Sequence, residues 1–210
     1  KEGWQSLVEC TGLENQQVRN GLVGSNPTPS AITKMNICVF LGSSIGKDPF
    51  YAETAFELGK QIAISNHKLV YGGGGLGLMK ELANGCLSEG GDVYGVITER
   101  LLDMEAGHEG IQELEIVQTM HERKTLMCDA ADCFILLPGG VGSYEEIFEI
   151  MAWNQLQIIK KPIFILNTNG FYDSLKIFLK HAKDEGFFNE KTFNMFNLYD
   201  SIEEILSKID

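Results

Sequence analysis

The chain has 210 residues, 44% of them hydrophobic and 22% charged, the balance of an ordinary globular protein at a length that suits one domain of roughly 100–200 residues. Seventeen Lys and Arg against 29 Asp and Glu leave a net charge of −12 at pH 7. That charge argues against nucleic acid as a partner, which needs a basic footprint, but not against a small phosphorylated ligand, because a helix N-terminus holds one phosphate locally.

Residues 1–34 show no clear hydrophobic period and end in the turn-rich tract Gly24-Ser25-Asn26-Pro27-Thr28-Pro29-Ser30. Gly24–Pro27 back-translates to the T-arm consensus of a transfer RNA gene, and Gly12-Leu13-Glu14-Asn15 to a sequence like a serine tRNA anticodon arm, at a tRNA-like spacing. The segment therefore reads as a non-native extension of low order, with Met35 the expected start; a flexible native tail is the alternative. Genomic DNA upstream of the Met35 codon distinguishes the two.

From residue 35 onward strands and helices alternate. Asn36–Leu41 is an apolar, β-branched run that stops at Gly42; residues 49–65 carry Ala52, Ala55, Phe56, Leu58, Ile62 and Ala63 at helical spacing. Lys68–Tyr71 is a short strand, Leu78–Ser88 a helix, Asp92–Ile97 a strand, and residues 99–112, with Gly107 and Gly110, read as a loop. Leu114–Gln118 is a strand, Met120–Ala131 a helix, Cys133–Leu137 a fully apolar strand and Ser143–Leu156 a long helix. Pro162–Leu166 is a strand, followed by helices over Phe171–Glu185 and Ser201–Ile209, the last capped by Ser201 or Asp200. Apolar strands alternating with amphipathic helices predict an α/β, Rossmann-like, doubly wound parallel sheet with helices on both faces, one domain over residues 35–210.

In such sheets ligands bind beyond the carboxyl ends of the strands. Three predicted strands end in glycine-rich turns there: Gly42-Ser43-Ser44, Gly72-Gly73-Gly74-Gly75 and Pro138-Gly139-Gly140-Val141-Gly142-Ser143. The third opens a long helix, whose unpaired N–H groups and partial positive charge suit a phosphate; Ser143 can cap that helix or donate to the phosphate, and Glu145 and Glu146 follow one turn in. The same features also describe a tight strand–helix turn. Gly72, Gly74 and Gly77 match GxGxxG by spacing, but no acidic residue closes a strand about 20 positions later, so NAD is not expected. Met120-His121-Glu122-Arg123-Lys124 opens another helix with two cations that could steady a phosphate, or could form a solvated helix start.

The four His residues are scattered without metal-ligand spacing, so no metal is expected. No apolar run of about 18 residues suggests a membrane span. Cys10, Cys38, Cys86, Cys128 and Cys133 form no CxxC pair, and without a secretion signal they read as free thiols of a cytoplasmic protein.

Pro138–Glu146, together with GSS at 42–44, YGGG and GLM within 71–79, MHERK at 120–124 and Trp153 with Gln155-Leu156 before Lys161-Pro162, resembles the LONELY GUY (LOG) family. These are phosphoribohydrolases of cytokinin riboside 5′-monophosphates, long labelled lysine decarboxylases. The resemblance implies Arg123 and Glu146 as the catalytic pair. It implies Gly139, Gly140, Gly142 and Ser143 as the phosphate loop, Gly42 and Ser43 as nucleotide contacts, and Gly74 and Lys124 as further substrate contacts. It also implies a small-molecule nucleoside monophosphate as partner, no cofactor, and a homodimer with second-subunit residues near each site; Phe148, Met151 and Trp153 could face core or partner. Ser143 replaces the family's Thr but keeps its hydroxyl, and Lys80 stands where many relatives have Gly. A non-catalytic Rossmann-like nucleotide or molybdenum-cofactor binding protein is the alternative. It would keep the glycine loops but need no Arg–Glu pair.

Overall fold

The computed structural model describes residues 33–105 and 107–209, so the reading of residues 1–34 falls, up to position 32, outside the described residues. Seven strands form one parallel sheet in the order β4-β3-β2-β1-β5-β6-β7: β1 (Asn36–Phe40), β2 (Lys68–Tyr71), β3 (Asp92–Thr98), β4 (Glu113–Val117), β5 (Cys133–Leu136), β6 (Ile163–Leu166) and β7 (Leu198–Tyr199). The helices are α1 (Pro49–Ile64), α2 (Gly77–Ser88), α3 (Glu99–Glu105), α4 (Met120–Ala130), α5 (Val141–Gln155), α6 (Asp173–Asp184), α7 (Glu190–Phe193) and α8 (Ile202–Ile209).

Alternation along the central strands builds two cores, because successive side chains of a strand point to opposite faces. Ile37, Val39, Leu69, Tyr71, Cys133 and Ile135 pack under α1, α2 and α8. Cys38, Phe40, Val70, Phe134, Leu136 and Ile165 pack under α4, α5 and α6. Both faces are thus covered, which is why these strands read as continuous apolar runs rather than alternating ones. Cys38, Cys86, Cys128 and Cys133 are all buried and free.

Helices α1 and α2 meet through glycines. A methyl group on Gly59 would lie 2.0 Å from the Leu82 carbonyl oxygen, and one on Gly85 would lie 1.9 Å from that of Phe56. Neither backbone oxygen can move without moving its helix, so Gly85→Ala should cost about 3 kcal/mol by overpacking. A urea midpoint unchanged from wild type would contradict this contact.

The chain leaves β1 towards β2, β3 and β4, then returns to place β5 on the other side of β1. The carboxyl ends of β1 and β5 therefore flank the point where the winding reverses, the expected ligand position in such sheets. Two hydrogen bonds tie the ends together, Leu137 N to the Phe40 carbonyl (2.9 Å) and Gly42 N to the Pro138 carbonyl (3.2 Å).

Two local expectations are corrected, and two short elements are added. Residues 99–105 form α3, not loop; Thr98 Oγ1 accepts from Leu101 N at its start, and the glycines that suggested a loop act only from Gly107 onward. Helix α5 starts at Val141 with Gly140 as its N-cap, so Ser143 lies inside the first turn and does not cap it. Strand β7 and helix α7, of two and four residues, are too short to show a period. The last helix does begin as expected, with Ser201 Oγ accepting from Glu204 N.

Candidate active site

A cavity of about 290 Å³ opens at the switch point. Its walls include Gly42 and Ser43 after β1, Gly72 after β2, Arg123 and Met127 on α4, Gly140 at the start of α5, and Gly142, Ser143, Glu145 and Glu146 in the first turns of α5. Met79, Leu101 and Met120 add apolar surface.

The start of α4 explains why Arg123 points inward. Thr119 and Glu122 form a capping box: Thr119 Oγ1 accepts from Glu122 N, and Glu122 Oε2 accepts from Thr119 N. Glu122 also accepts from Gln118 N, which fixes the entry of the chain into the helix. The next residue, Arg123, then turns under the sheet edge and is 6% exposed. Its Nε donates to the Val96 carbonyl at 2.9 Å, Nη1 to Glu146 Oε1 at 2.8 Å and Nη2 to the Gly72 carbonyl at 3.3 Å. Three of the five guanidinium donors are thus engaged, leaving two for a ligand. Gly72 is required for this fit, since a Cβ there would lie 2.1 Å from Nη2.

Glu146 is 8% exposed and closes the pair from α5. Burial pushes its pKa above the ordinary carboxylate value, and the Arg123 charge and hydrogen bond offset only part of that. Only Oε1 is held by Arg123; among the described residues Oε2 has no hydrogen-bond partner. A buried carboxylate oriented through one oxygen and free at the other can stabilise positive charge or accept a proton from water.

The Pro138–Ser143 loop has the form of an anion cradle. Gly140 caps α5 without a side-chain hydrogen bond, so the first N–H groups of the helix lack a side-chain cap and are open to an anion. Methyl groups on Gly140 or Gly142 would meet open space, so the glycines leave the approach to the backbone bare. Gly139 is tight instead, with its Cβ position 2.2 Å from Ser143 Oγ, and it lines a second, adjoining cavity with Gly42, Ser43, Tyr51 and Phe171.

The structure thus brings Gly42, Ser43, Arg123, Gly140, Gly142, Ser143 and Glu146 around one cavity and Gly139 beside it. It does not bring Gly74 or Lys124 to the cavity wall. Gly74 is buried in an antiparallel bridge with Gly107. Lys124 is engaged by Glu145 and, at 3.0 Å, by Glu149; burial opposes its charge, but the hydrogen bonds it donates to the two carboxylates carry its pKa above the ordinary lysine value. Met151 is core and Trp153 packs against it, while Phe148 stays partly exposed and stacks on Phe196. The capping box and the apolar lining were missed in the sequence. Thr119-x-x-Glu122 is a legible signal, whereas Met79, Leu101 and Met120 are ordinary apolar residues until the fold gathers them. Among the described residues no group of three or more His, Cys, Asp and Glu could hold a metal.

A family model described as "Possible lysine decarboxylase" matches residues 79–209. A cytokinin riboside 5′-monophosphate phosphoribohydrolase of Rhodococcoides fascians is 41% identical over 186 residues, 88% of this chain and 91% of its own. The Arabidopsis thaliana phosphoribohydrolase LOG5 is 40% identical over 174 residues, 83% of this chain and 76% of its own. The chain belongs to the LOG family. Solved structures with the same fold include the molybdenum cofactor binding protein of Rippkaea orientalis (TM-score 0.65, 21% identity, covering 85% of this chain and 97% of that one). The molybdenum cofactor carrier protein of Chlamydomonas reinhardtii is another (TM-score 0.62, 19% identity, 84% and 96%). At these identities the likeness concerns the fold alone. The "lysine decarboxylase" description of the LOG family would call for pyridoxal phosphate, whose chemistry needs a Schiff-base lysine. Among the described residues the cavity lining contains no lysine, so these residues do not fit that cofactor.

Proposed function

We propose that this cavity hydrolyses the N-glycosidic bond of purine nucleoside 5′-monophosphates, AMP or a cytokinin riboside monophosphate, to free base and ribose 5-phosphate. The observation that carries the reading is the buried Arg123–Glu146 pair opening into the same cavity as the uncapped, glycine-bare start of α5. The LOG relatives are named for this reaction.

The 5′-phosphate sits on the N–H groups at the start of α5, with Gly42 and Ser43 closing the loop above β1. Binding there is remote from the reacting bond and positions it. As the bond from C1′ to the purine nitrogen breaks, its electron pair leaves with the base and positive charge builds on the ribose ring. Glu146 in its ionised form stabilises that charge and accepts a proton as water adds to C1′, and that proton passes on to the departing base. The free donors of Arg123 orient the nucleotide. Met79, Leu101 and Met120 supply an apolar wall suited to the base.

The same reading includes a homodimer in the cytoplasm. Exposed Met120 and Val141 stand at the starts of α4 and α5 beside the cavity, and exposed Phe148 lies two turns further along α5; a second copy would cover this apolar surface. The buried free thiols suit a reducing compartment.

The test compares purified protein on AMP, isopentenyladenosine monophosphate and adenosine, with chromatography of the base. Both monophosphates should release base and adenosine should be a poor substrate. Adenosine cleaved as fast as AMP would mean that the start of α5 binds no phosphate. Intact AMP and its isopentenyl analogue would favour a binding protein of the same fold.

A further inference from the structure

The hydrogen bonds of Arg123 lead outward to a second glycine loop. Its Nη2 donates to the Gly72 carbonyl, and the following residues are clasped from outside by residues 107–110. His108 N donates to the Gly73 carbonyl at 3.1 Å, and Gly74 bridges Gly107 in antiparallel fashion. The Gly72–Gly75 turn cannot brace itself. Gly73 has φ +73, the Cβ position of Gly95 lies 2.8 Å from Gly73 Cα, and Leu114 and Ile97 crowd Gly73 from beneath, so the turn, which carries no side chain of its own, is seated on β3 and β4 and is held on its outer side by residues 107–110.

What fixes the clasp is the ring of His108. Its Nδ1 accepts from Gly110 N at 3.1 Å and its Nε2 lies 3.1 Å from Asn84 Oδ1 on α2. Gly110 N can only donate, so Nδ1 must be the unprotonated nitrogen and Nε2 the one that donates to Asn84. The neutral ring therefore folds its own loop into a tight turn and pins that turn to α2. Charged groups around the ring are Lys80 from α2 and Glu109 from the loop. Burial, then Lys80, hold the pKa of His108 below the ordinary imidazole value, with Glu109 opposing, so the accepting form prevails at neutral pH. Lys80 thus has a place in the fold although it lies outside the catalytic cavity.

We propose that His108 is a positioning residue for the hydrolysis: its clasp holds the Gly72–Gly75 turn, and through the Gly72 carbonyl it sets the guanidinium of Arg123 against Glu146. This rests on the hydrolase reading above. His108 is absent from the cavity wall, so its loss should act on the chemical step more than on nucleotide binding.

The experiment measures kcat and KM on AMP for His108→Ala, His108→Asn and Asn84→Ala, beside Glu146→Gln. An Asn side chain accepts from the N–H two residues on, as His108 does here, and so can remake the turn. Loosening the support of a catalytic group by an ångström can cost on the order of 100-fold in rate. His108→Ala should lower kcat by about tenfold to a hundredfold, with KM within about twofold of wild type. His108→Asn should recover most of that rate, and Asn84→Ala should fall between. Wild-type kcat in His108→Ala overturns the proposal, as does a rise in KM with kcat unchanged. So does an Asn variant no better than Ala; if the Ala variant fails to fold, the Asn84 variant gives the same decision. Loss of turnover in Glu146→Gln with none in the His108 and Asn84 variants would sink this inference alone, whereas an active Glu146→Gln would sink the hydrolase reading beneath it.

Discussion

Glu146→Gln should lower turnover on AMP by about 100- to 1000-fold, the usual cost of removing one electrostatic catalytic contact, while nucleotide affinity stays near that of wild type. The amide keeps the shape of the side chain and can still accept from Arg123 Nη1, but it cannot balance an oxocarbenium charge. The pH dependence follows from the same group. Burial raises the pKa of Glu146, and the reaction needs the ionised form, so activity is full above that pKa and falls as protons bind on acidification. The loss therefore begins at a higher pH than an ordinary glutamate, near 4.3, would give. The acid limb of kcat should be absent from whatever residual activity the Gln variant retains. An acid limb at or below the ordinary glutamate value would show that another group titrates.

Gly72→Ala should cost about 100-fold in turnover through the position of Arg123. The backbone of Gly72 is not in the left-handed region, so alanine is acceptable there by conformation. The obstacle is its methyl group, 2.1 Å from Nη2, 3.3 Å from Cζ and 3.2 Å from Met79 Sδ. The guanidinium must retreat, and it is already fixed by Val96, Gly72 and Glu146. Stability should fall as well, because a buried carboxylate deprived of its partner costs about 3–5 kcal/mol. Full activity in the Ala variant would mean that Arg123 works from another position.

Much of the fold was legible because its strands are buried on both faces. Runs such as Cys133-Phe134-Ile135-Leu136-Leu137, closed by Pro138-Gly139, leave few other readings. The short elements were not, since α3 and β7 take their geometry from neighbours rather than from a period. The pairing of Arg123 with Glu146 was implied by resemblance, and spacing alone left a solvated helix start open. Burial decides that point, for an arginine 6% exposed on three acceptors is no surface charge. Lys124 shows the opposite case. It is adjacent in sequence to the catalytic arginine, yet one residue is 100° round a helix, and that turn carries it to Glu145 and Glu149 instead of the cavity. Ser143 looked like a cap because capping serines precede helices; Gly140 has that place, and its missing side chain is what leaves the helix start open to an anion.

The most direct measurement is quantitation of both products from AMP with purified wild-type and Glu146→Gln protein. The account predicts adenine and ribose 5-phosphate in equal amounts from the wild type, no inorganic phosphate, and almost nothing from the variant. Adenosine with inorganic phosphate, or intact AMP recovered from the wild type, would contradict it.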